Sequence, residues 1–273
     1  YSSCGASEST TDLIFSGHLM IAENGVMLKN KEDITLDSAL IFTDVDIAKM
    51  INEKAKNNSY LPYLDKSQHR IVDFAIKSQD DNIIRTYEKK PFVPSDKNEL
   101  DKRCNEILNM QSYALAKRVL HLKYPRLVIG VSGGVDSALA LLVSVRAMGI
   151  LNRSTKDIIA VTMPGFGTTN QTYNSSHNLI KILGATFRAI SIKKAVNQHF
   201  QDISHDKDSH DITYENAQAR ERTQILMDLA NKEGGIVVGT GNLSEIALGW
   251  STYNGDHMSM YAVNISIPKT LIK

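Results

Sequence analysis

Four short apolar runs, spaced by longer helix-like segments, constrain this chain more than any other feature. They are RLVIGV at 126–131, DIIAVT at 157–162, TFRAI at 186–190 and GIVVG at 235–239. Short runs rich in Val and Ile suit strands buried on both faces, and parallel strands need a long crossover between them, usually a helix. The pattern therefore predicts an α/β chain built on a doubly wound parallel sheet with right-handed crossovers. In such a sheet, ligands collect beyond the carboxyl ends of the strands. The first run is followed by Ser132-Gly133-Gly134-Val135-Asp136-Ser137 and the second by Met163-Pro164-Gly165-Phe166-Gly167-Thr168-Thr169. The last is followed by Thr240-Gly241-Asn242-Leu243-Ser244-Glu245, and the sheet predicts that all three loops share one edge.

Upstream, the rhythm differs. Residues 1–51 read as short strands and turns, with Leu19-Met20-Ile21 entering the turn Glu23-Asn24-Gly25 and a further apolar alternation at 41–45. Residues 52–95 are polar and interrupted by Asn57-Asn58-Ser59, Asp80-Asp81-Asn82 and Pro91-Phe92-Val93-Pro94, which reads as a linker with local helix. Asp96 and Glu99 then precede the apolar spacing Leu100, Ile107, Leu108, Leu115 and Val119, a capped amphipathic helix. Residues 96–273 form the main domain in this reading. A length of 273 residues fits one α/β domain plus part of another.

Charge and cysteine usage exclude several function classes. Lys+Arg 31 against Asp+Glu 30 leaves +1, without the basic surface that nucleic acid requires. Cys4 and Cys104 form no CxxC pair, which argues against a disulfide framework or a zinc site and fits a reducing cytoplasm. Cys4 reads as a small buried apolar group rather than a nucleophile. No apolar run has membrane-spanning length, and the first residues lack a signal-peptide pattern. The stretch 205–210, with two histidines and two aspartates around Lys207, reads as a solvated loop rather than a metal cluster.

The loop after the first run has a clear chemical use. Gly133 and Gly134 let the backbone approach an anion, a following helix presents unpaired N–H groups, and Ser132 and Ser137 add hydroxyl donors. Asp136 would repel bare phosphates, so its presence implies Mg²⁺ between carboxylate and phosphate oxygens, and hence ATP. The GxxxxGK[ST] spacing of γ-phosphoryl transfer is absent. Gly239-Thr240-Gly241 does not open a GxGxxG fingerprint either, because Ser244 holds the third glycine position.

The string SGGVDS resembles the pyrophosphate loop of the N-type ATP pyrophosphatases. The stretch from Gly239 through Glu245 and Trp250-Ser251-Thr252-Tyr253 to Asp256, followed by Pro268-Lys269-Thr270, is similar to the signature of glutamine-dependent NAD synthetases. Pro91-Phe92-Val93-Pro94, the helix start at Glu99 and Arg103, Pro164 through Thr169, and Tyr214-Glu215-Asn216-Ala217-Gln218-Ala219-Arg220 match the same family in order. The resemblance implies an adenine nucleotide α-hydrolase-like fold that adenylates deamido-NAD with ATP and lets ammonia, drawn from glutamine, displace AMP. It implies ATP contacts at Gly130, Val131, Ser132, Gly133, Gly134, Val135, Asp136, Ser137 and Thr240, with the adenine near the end of the 157–162 run. Deamido-NAD would meet Asn216, Glu245, Trp250, Ser251, Thr252 and Tyr253, and magnesium would meet Asp136 and Glu245. Ser132, Asp136, Asp256 and Lys269 are the implied catalytic set.

Glu8-Ser9-Thr10-Thr11-Asp12-Leu13 and Ile21-Ala22-Glu23-Asn24-Gly25 look like the end of that family's nitrilase-like glutaminase domain, an α/β sandwich whose Glu, Lys, Cys triad belongs upstream of Tyr1. Further substrate contacts are expected past Lys273, and a homo-oligomer is implied. Two alternatives remain open at this level: another pyrophosphate-loop ligase, and a non-catalytic adenine-nucleotide-binding module.

Overall fold

The computed structural model describes residues 1–8, 15–57, 59, 70, 72–75, 83–87, 89–123 and 125–273. Residues 9–13 of the first family-like block, Asn58 and the breaker Asp80-Asp81-Asn82 lie outside the described residues. The chain divides into two compact units, Tyr1–Lys89 and Lys90–Lys273.

In the first unit, β1 (Leu19–Glu23) and β2 (Val26–Lys31) form an antiparallel hairpin. Asn24 and Gly25 both have positive φ, 47° and 79°, which is the backbone that a two-residue hairpin turn matched to strand twist requires. The alternation at 41–45 forms no strand. Asp44 instead points its Oδ2 at two backbone N–H groups, Ile84 at 2.7 Å and Arg85 at 2.9 Å, and Phe42 stays exposed. Helix α1 (Ile47–Lys56) starts inside the segment read as strands, because Asp46 caps it by accepting from the Lys49 N–H. Cys4 is exposed rather than buried.

Glu23 is buried at the hairpin end and accepts from the Asp46 N–H at 2.7 Å and from both terminal nitrogens of Arg85 at 2.8 and 2.9 Å. The Arg85 guanidinium holds its carboxyl below the ordinary carboxylate value. A depressed folded pKa stabilises the unit above the unfolded value, and that contribution is lost as pH falls through the folded one. The protection factor of the Asp46 amide, which donates to Glu23, is therefore expected to fall on acidification below about pH 4. Glu23→Gln should flatten that dependence, and an unchanged profile in the variant would refute the assignment.

The second unit opens with α2 (Lys97–His121), which Asp96 caps by accepting from the Glu99 N–H at 2.8 Å. Then β3 (Arg126–Gly130), α3 (Val135–Ile150), β4 (Ile158–Thr162), α4 (Asn170–Ile182), β5 (Thr186–Ala189) and α5 (Lys193–Asp202) follow. After α6 (Ile212–Glu233) come β6 (Gly235–Gly239), α7 (Leu243–Leu248), β7 (Tyr261–Ala262) and α8 (Lys269–Ile272). The five strands pair in parallel in the order β5-β4-β3-β6-β7. All four apolar runs are strands. The fifth strand has only two residues and no apolar run to announce it.

The pleat divides the core. Leu127, Ile129, Val131, Ala160 and Val238 face α2, α3 and α4, where Leu115, Val119, Leu141 and Met148 fill one layer. Val128, Ile159, Val161 and Val237 face α5 and α6, against Val196, Phe200 and Leu229. With both faces covered, the strands cannot alternate with polar residues, which is why they read as continuous apolar runs. Each fully buried Leu or Ile contributes about 1.5–3 kcal/mol. The strand order reverses at β3, whose neighbours are β4 on one side and β6 on the other. The crevice between β3 and β6 is thus a topological switch point, where open α/β sheets bind ligands.

Candidate active site

A cavity of about 700 Å³ opens at the carboxyl ends of β3, β4 and β6, within the usual range for small-molecule sites. Its lining includes Gly130, Val131, Ser132, Asp136 and Ser137 from the first loop, Met163, Gly167 and Thr168 from the second, and Thr240, Gly241 and Glu245 from the third. The three glycine-rich loops do share one edge. Tyr214, Gln218 and Arg222 of α6 close one wall, and Asp256 and Met258 contribute from the segment before β7.

The first loop is set by Gly133, whose φ is +90° and whose added Cβ would lie 2.8 Å from the Thr172 carbonyl oxygen. Any side chain there meets both backbone strain and a carbonyl that cannot swing away. Helix α3 begins with Gly134 as its N-cap and no side-chain capping bond, so its first N–H groups face the loop rather than a cap. Ser137 Oγ donates to the Gly134 carbonyl at 2.9 Å and lies 3.3 Å from Ser132 Oγ. Gly133→Ala is expected to weaken ATP binding about tenfold, since the free loop would relieve a strain of roughly 1–2 kcal/mol by leaving the conformation that faces phosphate, and binding would have to restore it. Gly149→Ala, in the last turn of α3 with open space around it, should leave binding unchanged. Calorimetric titration of both variants with ATP decides; equal affinities would show that the loop does not depend on Gly133.

Asp136 stands in the first turn of α3. Its Oδ1 accepts from Asn242 Nδ2 at 3.1 Å and its Oδ2 pairs with Lys269 Nζ. Its main-chain carbonyl accepts from Asn264 Nδ2 at 3.0 Å, and the same amide reaches the Thr240 carbonyl at 3.2 Å. Gln111 of α2 holds Asn264 in turn, donating Nε2 to Asn264 Oδ1 at 3.0 Å and to the Val263 carbonyl at 2.9 Å. Glu245 forms a capping box with Asn242: its Oε2 accepts from the Asn242 N–H and its own N–H donates to Asn242 Oδ1, both at 3.0 Å. Glu245 therefore has a helix-capping role as well as a place in the cavity wall.

The charge across the cavity comes from α6. Arg222 is half-buried, donates Nε to the Met163 carbonyl at 3.2 Å, and has its pKa lowered by desolvation, against which the Asp256 charge acts. It stays cationic all the same, since an arginine starts far above neutrality. Gln218 accepts from the Phe166 N–H at 3.1 Å. Gly165 lies so close to this pair that a Cβ would sit 2.5 Å from Gln218 Oε1 and 2.7 Å from an Arg222 terminal nitrogen.

The segment from Trp250 to Asp256 is tied to α6. Asn216 Oδ1 accepts from Thr252 Oγ1 at 2.8 Å, Arg220 Nε donates to the Tyr253 carbonyl at 3.1 Å, and the Thr252 N–H donates to Asp256 Oδ1 at 2.7 Å. Asn216, Thr252 and Asp256 are thereby brought together. Trp250 and Tyr253 are 78% and 82% exposed, Ser251 is exposed too, and none of the three lines the cavity. Trp250 is thus not a core residue. Among residues 205–210, His205 is not solvated: its ring packs on Phe200, with Nε2 3.5 Å from the α6 cap Asp211, and His210 stacks on Tyr214.

Among the described residues, no group of three or more His, Cys, Asp or Glu side chains is placed to hold a metal ion. Magnesium needs less, typically one or two carboxylates plus phosphate oxygens, and the carboxyl-bearing residues Asp136 and Glu245 both line the cavity. The donor set fits. No role for Arg222, Asn242, Asn264 or Gln218 was read from the sequence, nor the pairing of Asp136 with Lys269. Asn242 and Gln218 stand inside stretches already singled out, whereas Arg222, Asn264 and the Asp136–Lys269 pairing depend on partners far away in the chain.

The model of the NAD synthase family matches residues 107–272. Glutamine-dependent NAD(+) synthetases of Mycobacterium leprae and Mycobacterium tuberculosis are 40% and 42% identical to this chain, across 100% of it and 42% of each relative. The chain thus spans less than half the length of these curated relatives. Among solved structures, the glutamine-dependent NAD+ synthetase from Acinetobacter baumannii in complex with ADP aligns at 33% identity and a TM-score of 0.58. That match covers 62% of this chain and 32% of that one. The NH3-dependent NAD synthetase from Campylobacter jejuni shares the fold, with a TM-score of 0.56 over 62% of this chain and 70% of its own.

Proposed function

The chain belongs to the NAD synthase family, and from that premise we propose that its second unit adenylates deamido-NAD with ATP and then lets ammonia displace AMP, giving NAD. The observation that carries this reading is the meeting of the β3 and β6 loops at the switch point, with Asp136 bonded to both Asn242 and Lys269 between them. The ADP held by the Acinetobacter baumannii relative supports a nucleotide in this cavity.

In the proposed reaction, a carboxylate oxygen of deamido-NAD attacks the α-phosphate and pyrophosphate leaves. The uncapped start of α3 and the hydroxyls of Ser132 and Ser137 receive phosphate oxygens, along the segment Gly130, Val131, Gly133, Gly134 and Val135, with Thr240 on the facing loop. Bound magnesium, held by Asp136 and Glu245, would neutralise phosphate charge as it develops. Lys269 adds a positive charge beside the same oxygens once it leaves Asp136. Asn216 and Thr252 orient the substrate, with Glu245, Trp250, Ser251 and Tyr253 as further contacts. Asp256, its Oδ1 fixed by the Thr252 N–H, orients ammonia or takes its proton when AMP departs.

The hairpin region, residues 1–51, fits the end of a nitrilase-like glutaminase domain, residues 52–95 a linker, and 96–273 the synthetase domain, with glutamine as the ammonia source and a cytoplasmic homo-oligomer as the working form. Among the described residues no helix is long and apolar enough to cross a membrane. Pyrophosphate release from ATP, measured with and without deamido-NAD, tests the central claim. Release that ignores deamido-NAD would favour another ligase of the pyrophosphate-loop type, and no release at all would favour a non-catalytic nucleotide-binding module.

A further inference from the structure

Asn242 is fully buried, yet its side chain is committed to two groups that line the cavity. Its Nδ2 donates to Asp136 Oδ1 at 3.1 Å, and its Oδ1 accepts from the Glu245 N–H at 3.0 Å. Its own backbone N–H is accepted by Glu245 Oε2, also at 3.0 Å. A buried amide that caps a helix needs only its oxygen for that task. The nitrogen has a different use, because it spans 106 positions of sequence to reach a carboxylate on the other side of the switch point.

We propose that Asn242 is a positioning residue for the nucleotide site: it fixes the rotation of the Asp136 carboxylate and ties that carboxylate to Glu245, so that the two acids present their remaining lone pairs as one unit. This rests on the proposed reading of the cavity as a magnesium and ATP site. A carboxylate has two oxygens and about four acceptor sites, so one amide donor on Oδ1 orients the group without exhausting it. Oδ2 is the oxygen that carries the mobile partner, the Lys269 ammonium on its flexible stem, and it becomes available when that cation moves to phosphate. Asn264 does the same work on the main chain, bonding the Asp136 and Thr240 carbonyls together. Without the Asn242 bond, nothing would hold the Asp136 carboxylate in orientation once Lys269 moves to phosphate, and the pair of acids would meet the cation as two independent groups. Partners of this kind around a metal ligand typically change metal affinity by about 10–100-fold.

Asn242→Ser separates the two roles, because serine caps helices as well as asparagine but has no amide to reach Asp136. The test measures ATP binding by calorimetry in the full chain, with Mg²⁺ and with EDTA, together with the thermal midpoint. Asn242→Ser is expected to raise the dissociation constant about tenfold or more in Mg²⁺ and to leave it unchanged in EDTA, with the KM for deamido-NAD unmoved. In an Asp136→Asn background the same change should add nothing, since the bond to Asn242 persists there but the carboxylate charge it orients toward the cation is gone; a merely structural role would lower affinity in both backgrounds and both buffers. If the unaltered chain binds ATP equally well with and without Mg²⁺, the reading of the site fails. If it is Mg²⁺-dependent and Asn242→Ser matches it, or if the two substitutions add, the role assigned to Asn242 fails.

Discussion

Asp136→Asn should lower deamido-NAD-dependent pyrophosphate release on the order of 10³-fold, as expected when a preorganised charge at a phosphoryl-transfer site is removed. The substitution is nearly isosteric. Its remaining carbonyl oxygen can still accept from Asn242 Nδ2 and its backbone carbonyl from Asn264, so the local hydrogen bonds survive. What disappears is the negative charge that now pairs with Lys269. The far-ultraviolet dichroism should therefore match that of the unaltered chain, and the loss should appear in the pyrophosphate assay alone. Full activity at ordinary magnesium would remove Asp136 from the metal-binding role.

The second large effect separates Glu245 from Asp256. Glu245→Gln keeps the capping box, since glutamine serves at that position as well as glutamate, but removes the charge beside Gly241 on the cavity wall. Adenylation itself should stop, with no burst of pyrophosphate. Asp256→Asn retains an oxygen for the Thr252 N–H and so keeps the loop, while the half-buried Arg222 loses the carboxylate that favours its charge. That variant should release one pyrophosphate per site in a burst and then form NAD roughly 10²-fold more slowly, the scale of losing one proton-transfer group. Rapid quenching with labelled ATP reads both quantities. Equal loss of the burst in the two variants would move Asp256 from the ammonia step to substrate binding.

The two halves of that second prediction differ in how far they were legible. The Thr240-to-Glu245 loop stood directly behind an apolar run, so its place at the sheet edge followed from strand direction alone. Asp256 lies in a segment without periodicity, and only its bond to Thr252 and its place opposite Arg222 fix where it points. The apolar alternation at 41–45 misled for a related reason: a strand needs a neighbouring strand, and among the described residues none pairs with this segment.

Local pattern is enough to specify the parallel sheet, its four principal strands, the capped α2 and the edge on which the three loops meet. These follow from local periodicity, chain direction and the need of buried strands to be apolar on both faces. The tertiary structure alone decided that Lys269 pairs with Asp136, that Asn242 and Asn264 join the β3 and β6 loops, and that Arg222 faces the cavity while Trp250 faces solvent. Pairings across 106 to 133 positions leave no trace in local pattern, because each polar side chain looks like any other surface residue until the strand order puts a partner within reach.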